Sequence, residues 1–320
     1  MRRTSSLACL LVLALTLPAA AADSARGLLC AGRVDDALAA LQVRLQTSPQ
    51  DAEAHHLLSR AYLLVEEWNR AVEAAERAVA LQPKSSDYHL WLGRAYGNKA
   101  EHCNFLCASG LAGKVRTQFE KAVELDPSNT AARTDLAEYY MEAPGIMGGS
   151  KDKARAQADQ MAQSAPSSAH WVRARLAEKE KQYDVAEKEF RAAIEGSSNP
   201  PQAWIDLAGF YHRRGRLGDM ESAVNKAVSA QPSGGTLFDA ASLLFRAGRN
   251  FPGAAEMLRR YLDGGRLVCD APAFRAHYLL GTILEKQGEK QAAAAAYQAS
   301  LSLARDFDDP RKGLKRVQKQ

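Results

Sequence analysis

One spacing recurs along this chain and limits what it can fold into. Between Pro201 and Pro232 the sequence reads PQAWIDLAGFYHRRGRLGDMESAVNKAVSAQP. Trp204, Leu207 and Tyr211 stand three and four residues apart, so they form one stripe on a helix. Ala208, and Ala227 in a second helical pattern, are small where two helices must approach closely. Gly215 ends the first helix and Pro232 cannot continue the second. A hairpin of two such helices cannot bury its apolar face alone and needs neighbours.

The neighbours are present. Leu58, Ser59, Tyr62, Ala71, Ala78 and Pro83 repeat the offsets over Asp51 to Gln82. Leu92-Gly93 and Tyr96 are followed by Phe119, Ala122 and Pro127, and Leu136-Ala137 and Tyr140 by Ala154, Ala158 and Pro166. Later come Trp171, Ala174 and Phe190, then Phe238, Phe245 and Ala254, then Leu280, Gly281, Ala293 and Tyr297. Gly93 to Pro127 spans 34 residues where Ala208 to Pro232 spans 24, which places an insert of about ten near 97–114. Ala137 to Pro166 spans 29, which places about five more at 143–149. Both are expected as loops in the turns of their hairpins. We count six complete repeats after a partial one at 23–51, a solenoid over 23–307, and a basic cap or tail at 308–320.

The recurring W-x2-L-(G/A)-x2-Y spacing with its terminal proline resembles the tetratricopeptide-repeat (TPR) family. The resemblance implies an all-α solenoid, a right-handed superhelix of helix–turn–helix repeats whose first helices line a concave surface. Ala143-Pro144-Gly145, Gly148-Gly149 and Lys153-Ala154 resemble a group of exported bacterial TPR proteins. That resemblance implies a place in the cell envelope and transfers no catalytic residue.

The first 22 residues differ from the rest. Arg2 and Arg3 precede an apolar run from Leu7 to Leu17, Pro18 breaks it, and Ala19 to Ala22 offer small-residue cleavage sites. This is the pattern of a secretory signal peptide, with cleavage expected near Ala22 and an uncleaved anchor as the alternative. The expected location is periplasmic or secreted, with no stable membrane insertion after cleavage. Removing Arg2 and Arg3 lowers the formal charge from +5 to +3, which argues against nucleic acid as the main partner.

At the template position that faces the concave surface the chain places Arg60, Arg94, Glu138, Arg175, Gly209, Leu243 and Thr282. Three arginines in four consecutive repeats, with His56, Trp91 and Trp171 near them, suit an extended acidic or C-terminal peptide. A solvated charged face with ordinary ion pairs is the competing reading. His102, Cys103 and Cys107 form a second cluster. In a helix, Cys-x3-Cys puts both sulfurs on one face, so a local disulfide, reduced thiols, and a metal or redox site compete; export favours the disulfide. A zinc site wants four ligands at better spacing. The glycines at 145–149 lack the order of a phosphate-binding P-loop. No catalytic constellation, cofactor site or metal site is expected. The reading is a non-enzymatic scaffold that binds a protein or peptide. The alternatives are a structural subunit of an envelope assembly or a thiol redox or metal-binding factor using Cys103 and Cys107.

Overall fold

The computed structural model describes residues 19–264, 267–269 and 271–319. Most of the expected signal peptide lies outside the described residues. Among the described residues seventeen α-helices follow one another, in eight hairpins and a cap. They are α1 Ala19–Cys30 with α2 Val34–Thr47, α3 Ala52–Leu64 with α4 Trp68–Leu81, α5 Ser86–Glu101 with α6 Phe105–Leu125, and α7 Thr130–Glu142 with α8 Lys151–Met161. Then come α9 Pro166–Lys179 with α10 Tyr183–Glu195, α11 Pro200–Arg213 with α12 Leu217–Ala230, α13 Gly235–Arg246 with α14 Phe251–Asp263, α15 Ala273–Lys286 with α16 Lys290–Leu303, and α17 Asp308–Gln318. Seven hairpins therefore follow the N-terminal one, not six. The pair α13–α14, whose far end is irregular, is a full hairpin.

Local chemistry sets the boundaries. Asp51, Ser85, Asn104, Asn129 and Ser150 each accept a hydrogen bond from a backbone N–H of the following helix. Gly215, between α11 and α12, takes a left-handed φ of 71°. The small residues mark close crossings: a Cβ on Gly93 would lie 2.4 Å from the Phe119 ring, and one on Gly281 would lie 2.7 Å from Tyr297. Ala208 and Ala227 are fully buried.

Helices α1, α3, α5, α7 and α9 touch one another in succession, as do α11, α13 and α15. Odd helices thus form an inner layer and even helices an outer one. A tyrosine near the end of an inner helix latches onto the preceding outer helix. Tyr96 donates to Glu76, Tyr140 to Glu120 and Tyr211 to Glu187, at 2.5, 2.8 and 2.7 Å. Burial and the accepting carboxylate together push the Tyr211 phenol up to about 12.

The coil comes round far enough for its ends to meet. Phe274, Ala304 and Phe307 are buried in one apolar cluster with Leu29, Val34, Leu41 and Leu57. Arg275 donates to the Leu64 carbonyl at 2.9 Å, and the Arg305 N–H donates to the Asp35 carboxylate at 3.1 Å. Gly32 lies against Ala273 so closely that a Cβ there would meet its backbone nitrogen at 2.4 Å. A disulfide between Cys30 and Cys269, 239 residues apart, fastens this contact. No local spacing in the sequence relates these two cysteines.

The first insert differs from the expected loop, while the second keeps to the turn of its hairpin. The first is almost wholly helical: α5 runs 16 residues and α6 runs 21, leaving a turn at 102–104. The second is a 3-10 turn, Gly145–Met147, with Gly148 left-handed at φ 92°. The basic cap or tail expected at 308–320 is largely helix α17. Its Gly313 packs on Tyr297, and Arg316 pairs with Glu285 at 2.9 Å.

Candidate functional site

Inner helices carry most of the residues singled out from sequence, and the structure brings them into two groups. In the first, α3 and α5 place the Arg60 guanidinium 4.4 Å and the Arg94 guanidinium 4.8 Å from the centre of the Trp91 ring. His56 stacks on Tyr88 at 4.9 Å and meets Trp91 edge-on at 5.9 Å. His56 is buried, and burial brings its imidazole down to about 4, against the pull of Glu53. At neutral pH it is an uncharged ring packed against Tyr88 and Trp91.

In the second group, Trp171 and Arg175 of α9 sit 6.0 Å apart, ring centre to guanidinium. They share an elongated groove of about 420 Å³ with Glu138 of α7, Gln202, Asp206, Gly209 and Arg213 of α11, and Asp239 and Ser242 of α13. The groove crosses four hairpins. Burial raises the Asp206 carboxyl to about 6, assisted by Asp239 and opposed by Gln202, Arg213 and Arg175.

The arginines do not stand as an open ladder. Arg94 reaches Asp135 of α7 with two bonds, at 2.6 and 3.3 Å. Arg175 pairs with Glu142 at 3.3 Å and Glu178 at 3.0 Å. Arg213 forks onto the same Glu178 at 2.7 and 2.9 Å. Guanidiniums thus answer carboxylates of their own or an adjacent hairpin, and the charge that Arg94 and Arg175 would offer an acidic peptide is compensated within the chain. Leu243, which shares the arginines' template position, is buried.

The cysteine cluster resolves differently from a metal site. Cys103 is joined to Cys107 across the turn between α5 and α6. His102 instead stacks on Trp68 at 4.5 Å. Among the described residues no group of three or more His, Cys, Asp or Glu side chains could hold a metal ion. The disulfide braces a tip on which Phe105 is 76% and Leu106 81% exposed, and on the neighbouring 3-10 turn Ile146 is 95% exposed. Beneath the tip lies a cleft between α5, α6 and α7 that periodicity alone does not reveal.

Tetratricopeptide-repeat family models match residues 28–96, 171–235 and 238–309. The chain is a tetratricopeptide-repeat protein. The stretch that this TPR protein leaves unmatched between them, 97–170, holds both inserts. Similar solved structures are TPR proteins too. One from Thermus thermophilus is 22% identical over 60% of this chain and 97% of its own, with a TM-score of 0.49. One from Parabacteroides merdae is 18% identical over 83% and 98%, at 0.42. The C-terminal part of one from Cytophaga hutchinsonii is 12% identical over 92% and 99%, at 0.44. No curated protein matches the chain.

Proposed function

We propose that this TPR protein is an exported, non-enzymatic scaffold that holds an extended segment of another protein on its inner face. The observation that carries the reading is the groove shared by α7, α9, α11 and α13. It is built from aromatic and hydrogen-bonding side chains on a rigid two-layer frame. Export is supported by the leader-like first 22 residues and by the two cysteine pairs, which suit an oxidising compartment. Among the described residues no helix is long and apolar enough to cross a membrane. An acidic partner is not favoured, because two of the arginines that would recognise it, Arg94 and Arg175, are engaged with carboxylates of this chain.

The test is steric. Gly209 lines the groove, and the only neighbour a Cβ there would meet within 4 Å is the far end of the Arg213 side chain, at 3.4 Å. Gly209→Trp is expected to fill the groove without entering the core. Proteins that the wild-type chain captures from an envelope extract should be lost, with circular dichroism unchanged. Retention of the same proteins by the folded variant would overturn the inner face as the recognition surface.

A further inference from the structure

The insert near 97–114 builds a surface that the other hairpins lack. Helix α6, at 21 residues, is lengthened at its start and packs on α5, α7 and the 3-10 turn at Gly145–Met147. Between these elements lies a cleft of about 550 Å³. Its walls are apolar: Phe105, Val115 and Phe119 on one side, Tyr139 and Met147 on the other. The far wall is fixed, since the Tyr139 hydroxyl donates to the Met147 carbonyl at 2.7 Å. The near wall is fixed by the Cys103–Cys107 disulfide. Large apolar side chains stand open on both flanking turns, at Phe105, Leu106 and Ile146.

The rim is predominantly acidic. Glu101, Asp135, Glu138 and Glu142 line the cleft against the single cation Arg94. Asp135 is neutralised by Arg94, and Glu142 by Arg175 and Lys179. Glu101 and Glu138 carry no ion pair among the described residues. Desolvation in the cleft holds the Glu138 carboxyl above the ordinary range, with Asp135, Glu142 and Glu101 adding to the effect and Arg175 opposing it. Two carboxylates without a direct ion pair, over an apolar floor, are complementary to a cation on an apolar stem.

We infer that this cleft is a second docking site, for a basic amphipathic segment of a partner protein. Its apolar side chains enter between Phe119 and Tyr139 while a lysine or arginine meets Glu101 and Glu138. The inference rests on the scaffold reading; the cleft shares only Glu138 with the inner groove's lining, and Glu101, Phe105 and Leu106 lie outside that groove. An anionic lipid surface fits the exposed tip but is repelled by the rim, and a second copy of this chain would have to bring a basic apolar face of its own.

The probe is a synthetic 14-residue amphipathic Leu/Lys peptide, with its Leu/Glu counterpart as control, followed by fluorescence anisotropy on the full chain. The Leu/Lys peptide is expected to bind at least tenfold more tightly than the Leu/Glu peptide. Glu101→Gln with Glu138→Gln should remove that preference, Phe105→Ser with Leu106→Ser should weaken both peptides, and Gly209→Trp should leave binding unchanged. Equal binding of the two peptides, an undiminished preference in the double Gln variant, or preferential binding of anionic vesicles would overturn the inference. So would dimerisation that blocks the peptide. If the Leu/Lys peptide fails while Gly209→Trp still abolishes partner capture, the cleft is refuted and the scaffold reading stands. If the peptide behaves as expected while Gly209→Trp leaves capture intact, the reverse holds.

Discussion

Asp206 shows what the inner groove costs. Its carboxyl is half-buried, faces Asp239 and is raised to about 6 by burial. In the unfolded chain the same group has a pKa of about 3.9. Between those values the folded state binds more protons, so stability falls as pH rises through that window. The cost is fully present above about pH 6. Asp206→Asn is therefore expected to stabilise the protein by roughly 1–2 kcal/mol at pH 7.5 and by much less at pH 4. Urea unfolding at the two pH values reads this directly. An equal effect at both would mean that the carboxyl is not raised. The sequence placed the groove residues on the inner helices but not their ion pairs. A guanidinium in one hairpin finds its carboxylate in the next, as Arg94 finds Asp135, at a separation of 41 residues. That distance follows from hairpin stacking and from no local spacing.

Helices and crossings were legible because they rest on local rules. Leu, Gly or Ala, and Tyr at fixed offsets fix the stripe and the close approach. A terminal Pro or a left-handed Gly fixes the ends. The inserts were less legible. Extra length between two helical patterns is read as loop, yet Phe105 to Leu125 keeps an unbroken apolar face, so the added turns are helical. The tyrosine latches went unseen, although Tyr96 and Glu76, and Tyr140 and Glu120, share a separation of 20. Helix α5 offers a paired test of crossing against propensity. Gly93→Ala should destabilise by about 1–3 kcal/mol, because the methyl meets the Phe119 ring. One turn on, Gly97→Ala meets nothing within 4 Å and should stabilise by about 0.5–1 kcal/mol. Thermal unfolding of both variants checks the register. Effects of one sign would mean that α5 does not cross α6 at Gly93.

Closure belongs to the whole molecule. It depends on a small rotation accumulated over eight hairpins, which no single repeat encodes. Hence Cys30 and Cys269 looked unrelated in the sequence. Two kinds of interaction hold the ends. One is apolar and polar contact around Phe274, Phe307, Arg275 and Asp35. The other is the disulfide, which acts on the unfolded chain by closing a loop of 239 residues. In the chain-entropy picture a link of that length is worth about 5 kcal/mol against global unfolding. The two should separate experimentally. Cys30→Ser with Cys269→Ser is expected to lose about 3–5 kcal/mol in urea unfolding but to keep its radius of gyration, because the buried contacts remain. Adding Phe307→Ala removes the aromatic ring that packs on Phe274 and Tyr278. The triple variant should then open, with a larger radius of gyration by small-angle X-ray scattering. In the wild-type background Phe307→Ala should stay compact until reductant is added. Expansion of the double cysteine variant alone would mean that the covalent link, and not the packed seam, holds the coil shut.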